Sequence, residues 1–219
     1  MSQRLSTVLA MGPQRIEYES QPLDVVDLDP DPFAQFQRWL DDAFAAEVPE
    51  PEAFVLSTVA NDGTPSSRTV LLKQFDTDGL VFYTNYRSRK ANDLAVEPRV
   101  AALFLWLPIH RQARVEGLAE KVDPELSDAY FQSRPPEARL ASAASPQSQV
   151  VGSRAELDEM LSRMTREYPD GDVPRPDHWG GYRIRPSLFE FWQGRRARFH
   201  DRFRYQKSKD GWQIDRLAP

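Results

Sequence analysis

Residues 53–85 read AFVLSTVANDGTPSSRTVLLKQFDTDGLVFYTN. Three runs, Ala53–Ala60, Ser66–Phe75 and Leu80–Asn85, are rich in β-branched and aromatic residues. Asn61-Asp62-Gly63 and Asp76-Thr77-Asp78-Gly79 separate them with residues suited to tight turns. The pattern predicts three antiparallel strands joined by hairpins. Working outward, Val100–Leu107 and Gln112–Val122 read as a further pair joined through Pro108-Ile109-His110. Residues 181–194, 197–206 and 212–217 read as strands, with Lys209-Asp210-Gly211 as a turn. Asp31-Pro32 opens a helix, with Phe33, Phe36, Leu40 and Phe44 at helical spacing and Trp39 beside them. Ser88 starts a short helix toward Glu97, and residues 123–170 read as helical. There Ser153 and Glu156 have capping-box spacing, and Leu157, Met160, Leu161 and Met164 form a stripe expected to be core. The fold class is mainly β with peripheral helices: an antiparallel sheet or barrel with helices packed outside.

The 219 residues carry 28 basic and 33 acidic side chains, a net charge of −5 that argues against a general nucleic-acid binder. The absence of cysteine excludes disulfides, thiolate metal sites and cysteine nucleophiles. No G-x-G-x-x-G, P-loop or G-x-S-x-G motif occurs. His110, His178 and His200 lie far apart in sequence, so no metal site is expected. No apolar run approaches membrane-spanning length and no secretory leader is visible; a cytoplasmic protein is expected. Charge is polarised: residues 1–60 hold 3 basic and 11 acidic side chains, residues 183–219 hold 10 and 4. An acidic start and a basic end could attract each other, within one chain or across a dimer, although a solvated charged face is the better reading for most of these residues.

Three segments place polar residues where packing alone would not want them. In Arg68–Lys73, strand alternation puts the two cations on opposite faces. Tyr83-Thr84-Asn85 leads into Arg87-Ser88-Arg89-Lys90 at a helix start, where cations and backbone donors suit a phosphate. Trp192-Gln193-Gly194 precedes Arg198-Phe199-His200-Asp201-Arg202, in which Arg198, His200 and Arg202 would share one strand face. Each has a bland counterpart, a solvated helix start or a surface salt-bridge ladder.

Together these segments resemble the pyridoxamine 5′-phosphate oxidase family. The resemblance rests on RTVLLKQFDTDGLVFYTN (68–85), SRKANDLAVEPRVAALFLW (88–106), RQARVEGLAEKV (111–122), YFQSRP (130–135), WGGYRI (179–184), EFWQG (190–194), RFHDRFRYQ (198–206) and the terminal DRLAP. It implies an FMN-binding split β-barrel over residues 31–219, after an N-terminal segment, 1–30, that is partly flexible and folds over substrate. It also implies a homodimer with flavin sites at the interface. Carried over residue by residue, FMN would be held by Arg68, Thr69, Val70, Leu71, Leu72 and Lys73, by Tyr83, Thr84, Arg89 and Lys90, by Gln112, Gln147 and Ser148, and by Trp192 and Arg202. The substrate would meet Arg15, Ile16, Glu17 and Tyr18, then Lys73, Tyr130, Arg134 and Ala138, and finally Arg198, Phe199 and His200, with Arg198 and His200 covering its ring.

The implied reaction oxidises pyridoxamine 5′-phosphate and pyridoxine 5′-phosphate to pyridoxal 5′-phosphate with oxygen, releasing hydrogen peroxide. The other readings are an FMN oxidase of the phenazine-biosynthesis type and a non-catalytic flavin- or haem-binding module. Two positions depart from the family. Ile16 stands where a second arginine is frequent, and Ala138 where a serine often helps hold the substrate phosphate.

Overall fold

The computed structural model describes residues 17–219. The expectations for Arg15 and Ile16 lie outside the described residues. Nine strands form one antiparallel sheet: β1 (Ala53–Val59), β2 (Pro65–Leu71), β3 (Gln74–Asp76), β4 (Gly79–Asn85), β5 (Arg99–Trp106), β6 (Arg111–Lys121), β7 (Trp179–Gln193), β8 (Asp201–Ser208) and β9 (Gly211–Arg216). Among the described residues five α-helices accompany them: α1 (Pro32–Ala45), α2 (Arg89–Val96), α3 (Pro124–Ser133), α4 (Pro136–Ala144) and α5 (Arg154–Glu167). Among the described residues no helix is long and apolar enough to cross a membrane.

The strand order is β2-β1-β5-β6-β7-β4-β3. β6 runs along nearly all of β7; the other edge of β7 is shared by β4 over residues 179–184 and β8 over residues 188–193. The ends of this order, β2 and β3, are separated in sequence only by Leu72 and Lys73. The three Cα–Cα steps from Leu71 to Gln74 reach about 11 Å at most, so the sheet must curl until its edges meet. Leu72 N–H donates to Glu52 O (2.9 Å) on the β1 side, and Lys73 N–H to Val81 O (2.9 Å) on the β4 side. The single strand expected over 66–75 is therefore two strands serving opposite edges. The break also changes the expectation for Arg68 and Lys73: both line one cavity, because alternation does not carry through Leu72-Lys73.

Inside the curl, α1 inserts Phe36, Trp39, Leu40 and Ala43, all buried. Asp31 caps it by accepting from Phe33 N–H (3.0 Å), with Pro32 at the first helical position, as the sequence indicates. Phe36 packs on Phe75 and Phe104 (ring centroids 4.7 and 4.9 Å) and Trp39 on Phe191 (5.1 Å). Outside the curl, Phe131, Val173 and Trp179 make a second, smaller core under α3 and the 169–178 loop. The Leu157–Met164 stripe does not behave as expected. No residue of α5 is buried, Leu161 is 38% exposed, and only Met164 touches the small core. Helical periodicity marks an apolar face without saying whether this chain covers it.

Opposite charges at the two ends do meet within the chain. Arg216 pairs with Asp24 (3.0 Å), Arg196 with Glu19, and Leu23 N–H donates to Asp201 (3.0 Å). Residues 17–24 are thereby strapped to the β7–β8 connection.

Candidate active site

Predicted site residues gather in two places. The first is a cavity of about 340 Å³ at the seam where β2 meets β4. β2 supplies Arg68, Thr69, Val70 and Leu71, and the seam supplies Lys73; β4 supplies Tyr83 and Thr84, α2 supplies Lys90, and the α3–α4 region supplies Tyr130 and Arg134. Gln147 completes this set. Sequence reasoning missed two further lining residues, Ser142 and Trp179. Trp179 opens β7 at the end of an irregular loop, a position with no local signal of chemistry. Ser142 sits in a run of small residues.

Among the described residues, four cations face this space and no carboxylate lines it. Lys90 Nζ donates to Thr84 Oγ1 (3.0 Å) and Gln147 Oε1 (3.0 Å). Burial first, and then the nearby Arg68 charge, pull its pKa down to about 8. Arg68 is held by Thr58 Oγ1 (2.7 Å), Leu56 O (3.2 Å) and Ser66 Oγ (2.8 Å), and lies 3.9 Å from the buried Asp93. Burial lowers its pKa too, as it does that of Arg134. Among the described residues only Arg68 of these cations has a carboxylate beside it, and an anion entering here would supply the others with a counter-charge.

One wall is aromatic. Tyr83 stacks on Tyr130 (3.9 Å, 17°) and on Trp179 (5.4 Å, 10°), and the Arg134 guanidinium lies 4.9 Å over the Trp179 ring. Desolvation, then the neighbouring Tyr130, push the Tyr83 hydroxyl up to about 12, so it remains a neutral hydrogen-bonding group. The remaining residues expected here are placed otherwise. Leu72 turns into the main core, and Arg89 and Ser148 are exposed beside the cavity without lining it. Ala138 lines an adjoining space of about 390 Å³ that shares Arg134, Ser142, Gln147 and Trp179 with the first.

The second place is the C-terminal end of β7. Trp192 packs on His200 (4.6 Å), and Tyr18 lies over His110 (4.3 Å) and near His200 (5.9 Å). A Cβ on Gly194 would come within 2.5 Å of the Tyr18 ring, so only glycine permits that approach. Gln112 is the register partner of Trp192 across β6 and β7. Arg202 is fixed by Glu190 (2.9 and 3.0 Å), a carboxylate only 3% exposed that also accepts from Arg114 (2.6 Å).

The strand row expected for Arg198, His200 and Arg202 is not formed. Residues 196–198 make a 3-10 turn, Ala197 and Arg198 have φ of 55° and 64°, and β8 begins only at Asp201. The turn closes on itself: Arg195 N–H donates to His200 Nδ1 (3.0 Å), which leaves the neutral ring's proton on Nε2. Burial and the Arg198 charge lower the His200 pKa. Ala197 N–H donates to Glu17 (3.2 Å), so Glu17 and Tyr18 both reach this cluster, while Phe199 is 77% exposed.

The two places share one face of the sheet yet stay apart. The residue row Thr69, Val55, Leu103, Arg114, Glu190 crosses four strand spacings, about 19 Å at the usual separation. Between them Val55, Ala101 and Leu103 are half-exposed, and Leu105 is more so.

Comparison with known proteins matches residues 40–164 to the family described as pyridoxamine 5′-phosphate oxidase. Residues 179–219 match the pyridoxine 5′-phosphate oxidase C-terminal dimerisation region. The chain is 50% identical over 208 residues to the pyridoxine/pyridoxamine 5′-phosphate oxidase of Burkholderia cenocepacia, covering 94% of this chain and 97% of that protein. It is equally similar to the oxidase of that name from Bordetella petrii, over 96% and 100%. Its fold superposes on PhzG from Burkholderia lata in complex with tetrahydrophenazine-1-carboxylic acid, with TM-score 0.86, 29% identity, and 91% and 99% of the two chains covered. An FMN-binding protein related to pyridoxamine 5′-phosphate oxidase from Nostoc punctiforme shares the fold at TM-score 0.68 and 19% identity, covering 84% and 97%. The curled antiparallel sheet, the motifs on it and the extent of these matches together make the chain a member of the pyridoxamine 5′-phosphate oxidase family.

Proposed function

We propose that this protein is an FMN-dependent oxidase that converts pyridoxamine 5′-phosphate and pyridoxine 5′-phosphate to pyridoxal 5′-phosphate. The observation that carries the reading is the cavity of four cations with no lining carboxylate among the described residues, walled by Tyr83, Tyr130 and Trp179. Such a donor set suits phosphates. Arg68, Lys90, Thr84 and Gln147 hold the FMN phosphate. Lys73, Tyr130 and Arg134 hold the phosphate of the substrate.

The site is built across a homodimer. Within one chain, Trp192, His200 and Arg202 lie too far along the sheet face to meet the cation cavity. A twofold partner laid on the half-exposed Val55–Leu103 face brings its second cluster to the first cavity of this chain. There Gln112, Trp192 and Arg202 of one protomer complete the flavin site, and Arg198 and His200 cover the substrate ring.

FMN, when bound, supplies a two-electron acceptor that oxygen regenerates. The alcohol substrate plus oxygen gives aldehyde and hydrogen peroxide. The amine plus oxygen and water gives aldehyde, ammonia and hydrogen peroxide. The protein contributes alignment and charge. Arg134 and Lys73 anchor the phosphate, the N-terminal strap brings Tyr18 over the ring site, and clustered cations favour negative charge nearby. His200, its Nδ1 occupied by Arg195, presents Nε2–H as a donor.

The similarity to PhzG gives weight to a second reading, an oxidase of a phenazine precursor. Lys73, Tyr130 and Arg134 favour the phosphorylated substrate, since a carboxylate needs fewer cations. Purified protein should be yellow and should consume oxygen with either phosphorylated vitamer while forming pyridoxal 5′-phosphate. Flavin-loaded protein inactive on both would refute the substrate assignment.

A further inference from the structure

One hydroxyl in the cation cavity has no assigned task. Ser142 lies on α4 one helical turn after Ala138, so the two share a face. Both border the space beside Arg134, and Ser142 borders the main cavity as well. Ala138 offers only a methyl group there. The Ser142 hydroxyl accepts a hydrogen bond from Arg134 Nη1 at 2.7 Å. A guanidinium only donates, so the serine keeps its own proton to give. Among the described residues that proton has no acceptor.

Arg134 is fixed from two sides, by Ser142 at its edge and the Trp179 ring against its face. An oxyanion that pairs with Arg134 therefore arrives beside a hydroxyl already polarised by the same cation. We infer that Ser142 is a ligand of the substrate's phosphate, donating from one turn further along α4 the hydrogen bond that position 138 does not supply. The inference rests on the reading of this cavity as the site of a phosphorylated pyridine. It gives the small-residue run Ala141-Ser142-Ala143 a specific role. Neighbouring methyl groups leave the hydroxyl room to turn toward the ligand.

The test uses FMN-loaded dimer and 4′-deoxypyridoxine 5′-phosphate, which lacks the group to be oxidised, together with its unphosphorylated counterpart. Binding is read by calorimetry in the parent, Ser142→Ala, Ala138→Ser and the double variant. Ser142→Ala should weaken the phosphorylated ligand about tenfold, the effect of one hydrogen bond to a charged group, and leave the unphosphorylated one within about twofold. Ala138→Ser should change the parent less than about twofold yet recover most of the loss in the Ser142→Ala background, because both hydroxyls serve one position. The inference is overturned if Ser142→Ala binds the phosphorylated ligand like the parent, if both ligands weaken alike, or if Ala138→Ser acts equally in both backgrounds. A parent protein that does not distinguish the two ligands would instead refute the phosphate reading of the cavity.

Discussion

The two clusters on the sheet face are held in different ways. The cation cavity hangs on regular structure: β2 and β4 meet at the seam, α2 presents Lys90, and buried partners such as Thr58 and Asp93 lock Arg68. The Trp192–His200 cluster hangs on a turn with two left-handed residues and on residues 17–24, tied down by ion pairs and backbone bonds. A phosphate is the same in every ligand state, and a rigid socket suits it. A ring that must enter, react and leave suits a cover made of turn and strap. On this comparison, damage to the first cluster should appear as lost anion binding, and damage to the turn and strap of the second as lost turnover with ligand still held.

The comparison is broken most decisively by separating the clusters between chains. Arg134→Ala and Arg198→Ala should each lower kcat/KM by roughly 100-fold, the order expected for charge-assisted bonds to a substrate. A heterodimer of the two variants, isolated with two different tags, should regain about half the parental activity, since one of its two sites is intact. A heterodimer as inactive as either parent variant would mean that both clusters serve one chain's own site.

Glu190→Gln sharpens the second cluster. It leaves Arg202 and Arg114 without their shared buried carboxylate, and should cost about 2–3 kcal/mol of stability by denaturant titration, partial exposure of the arginines having reduced the usual penalty for a broken buried pair. Flavin should also dissociate more readily. Unchanged stability and flavin retention would remove Glu190 as the anchor of Arg202.

The Lys90 pKa near 8 gives the first cluster a pH signature. An anion favours the protonated lysine, so affinity is full below pH 8. Above it a proton must be taken up on binding, and FMN affinity should fall by up to about tenfold per pH unit. Riboflavin, lacking the phosphate, should show no such fall. Fluorescence titrations at pH 7 and 9 distinguish the cases, and equal FMN affinity at both would place Lys90 away from the phosphate. The smallest effect belongs to neither cluster. Leu161→Ser on the exposed stripe of α5 should change monomer stability by less than about 0.5 kcal/mol, whereas a core leucine would cost several times more.

Much of the sheet was legible because alternation and turn chemistry are local. The Asn61-Asp62-Gly63 turn, the β5–β6 connection at His110 and the Asp31-Pro32 helix start needed no distant partner. The break after Leu71 was not legible. Leu72 continues the apolar run, and what divides the strand is the identity of its neighbours, Glu52 on one side and Val81 on the other. The same limit applies to the site. Its residue types were readable from motif, but nothing near Trp192 states that the cation cavity lies four strands away. The helical stripe of α5 was misread for a related reason, since an apolar period records a face and not what covers it.

The seam also has a temporal meaning. The bonds flanking the seam, Lys73 to Val81 and Leu72 to Glu52, lie within hairpins, but the curl closes only when β4 pairs with β7, Leu80 opposite Ile184 and Asn85 opposite Trp179. The β4–β7 contacts are among the most non-local in the chain, and such contacts form late in folding. The cavity, which Trp179 of β7 lines beside Tyr83 and Thr84 of β4, is therefore completed in the last stage, and partly folded chains would lack it. In the finished protein, opening the seam exposes few residues, and its amides should be among the first in the sheet to exchange with solvent. An anion bridging Arg68 on one edge and Thr84 on the other would slow that exchange, acting as a clasp across the seam.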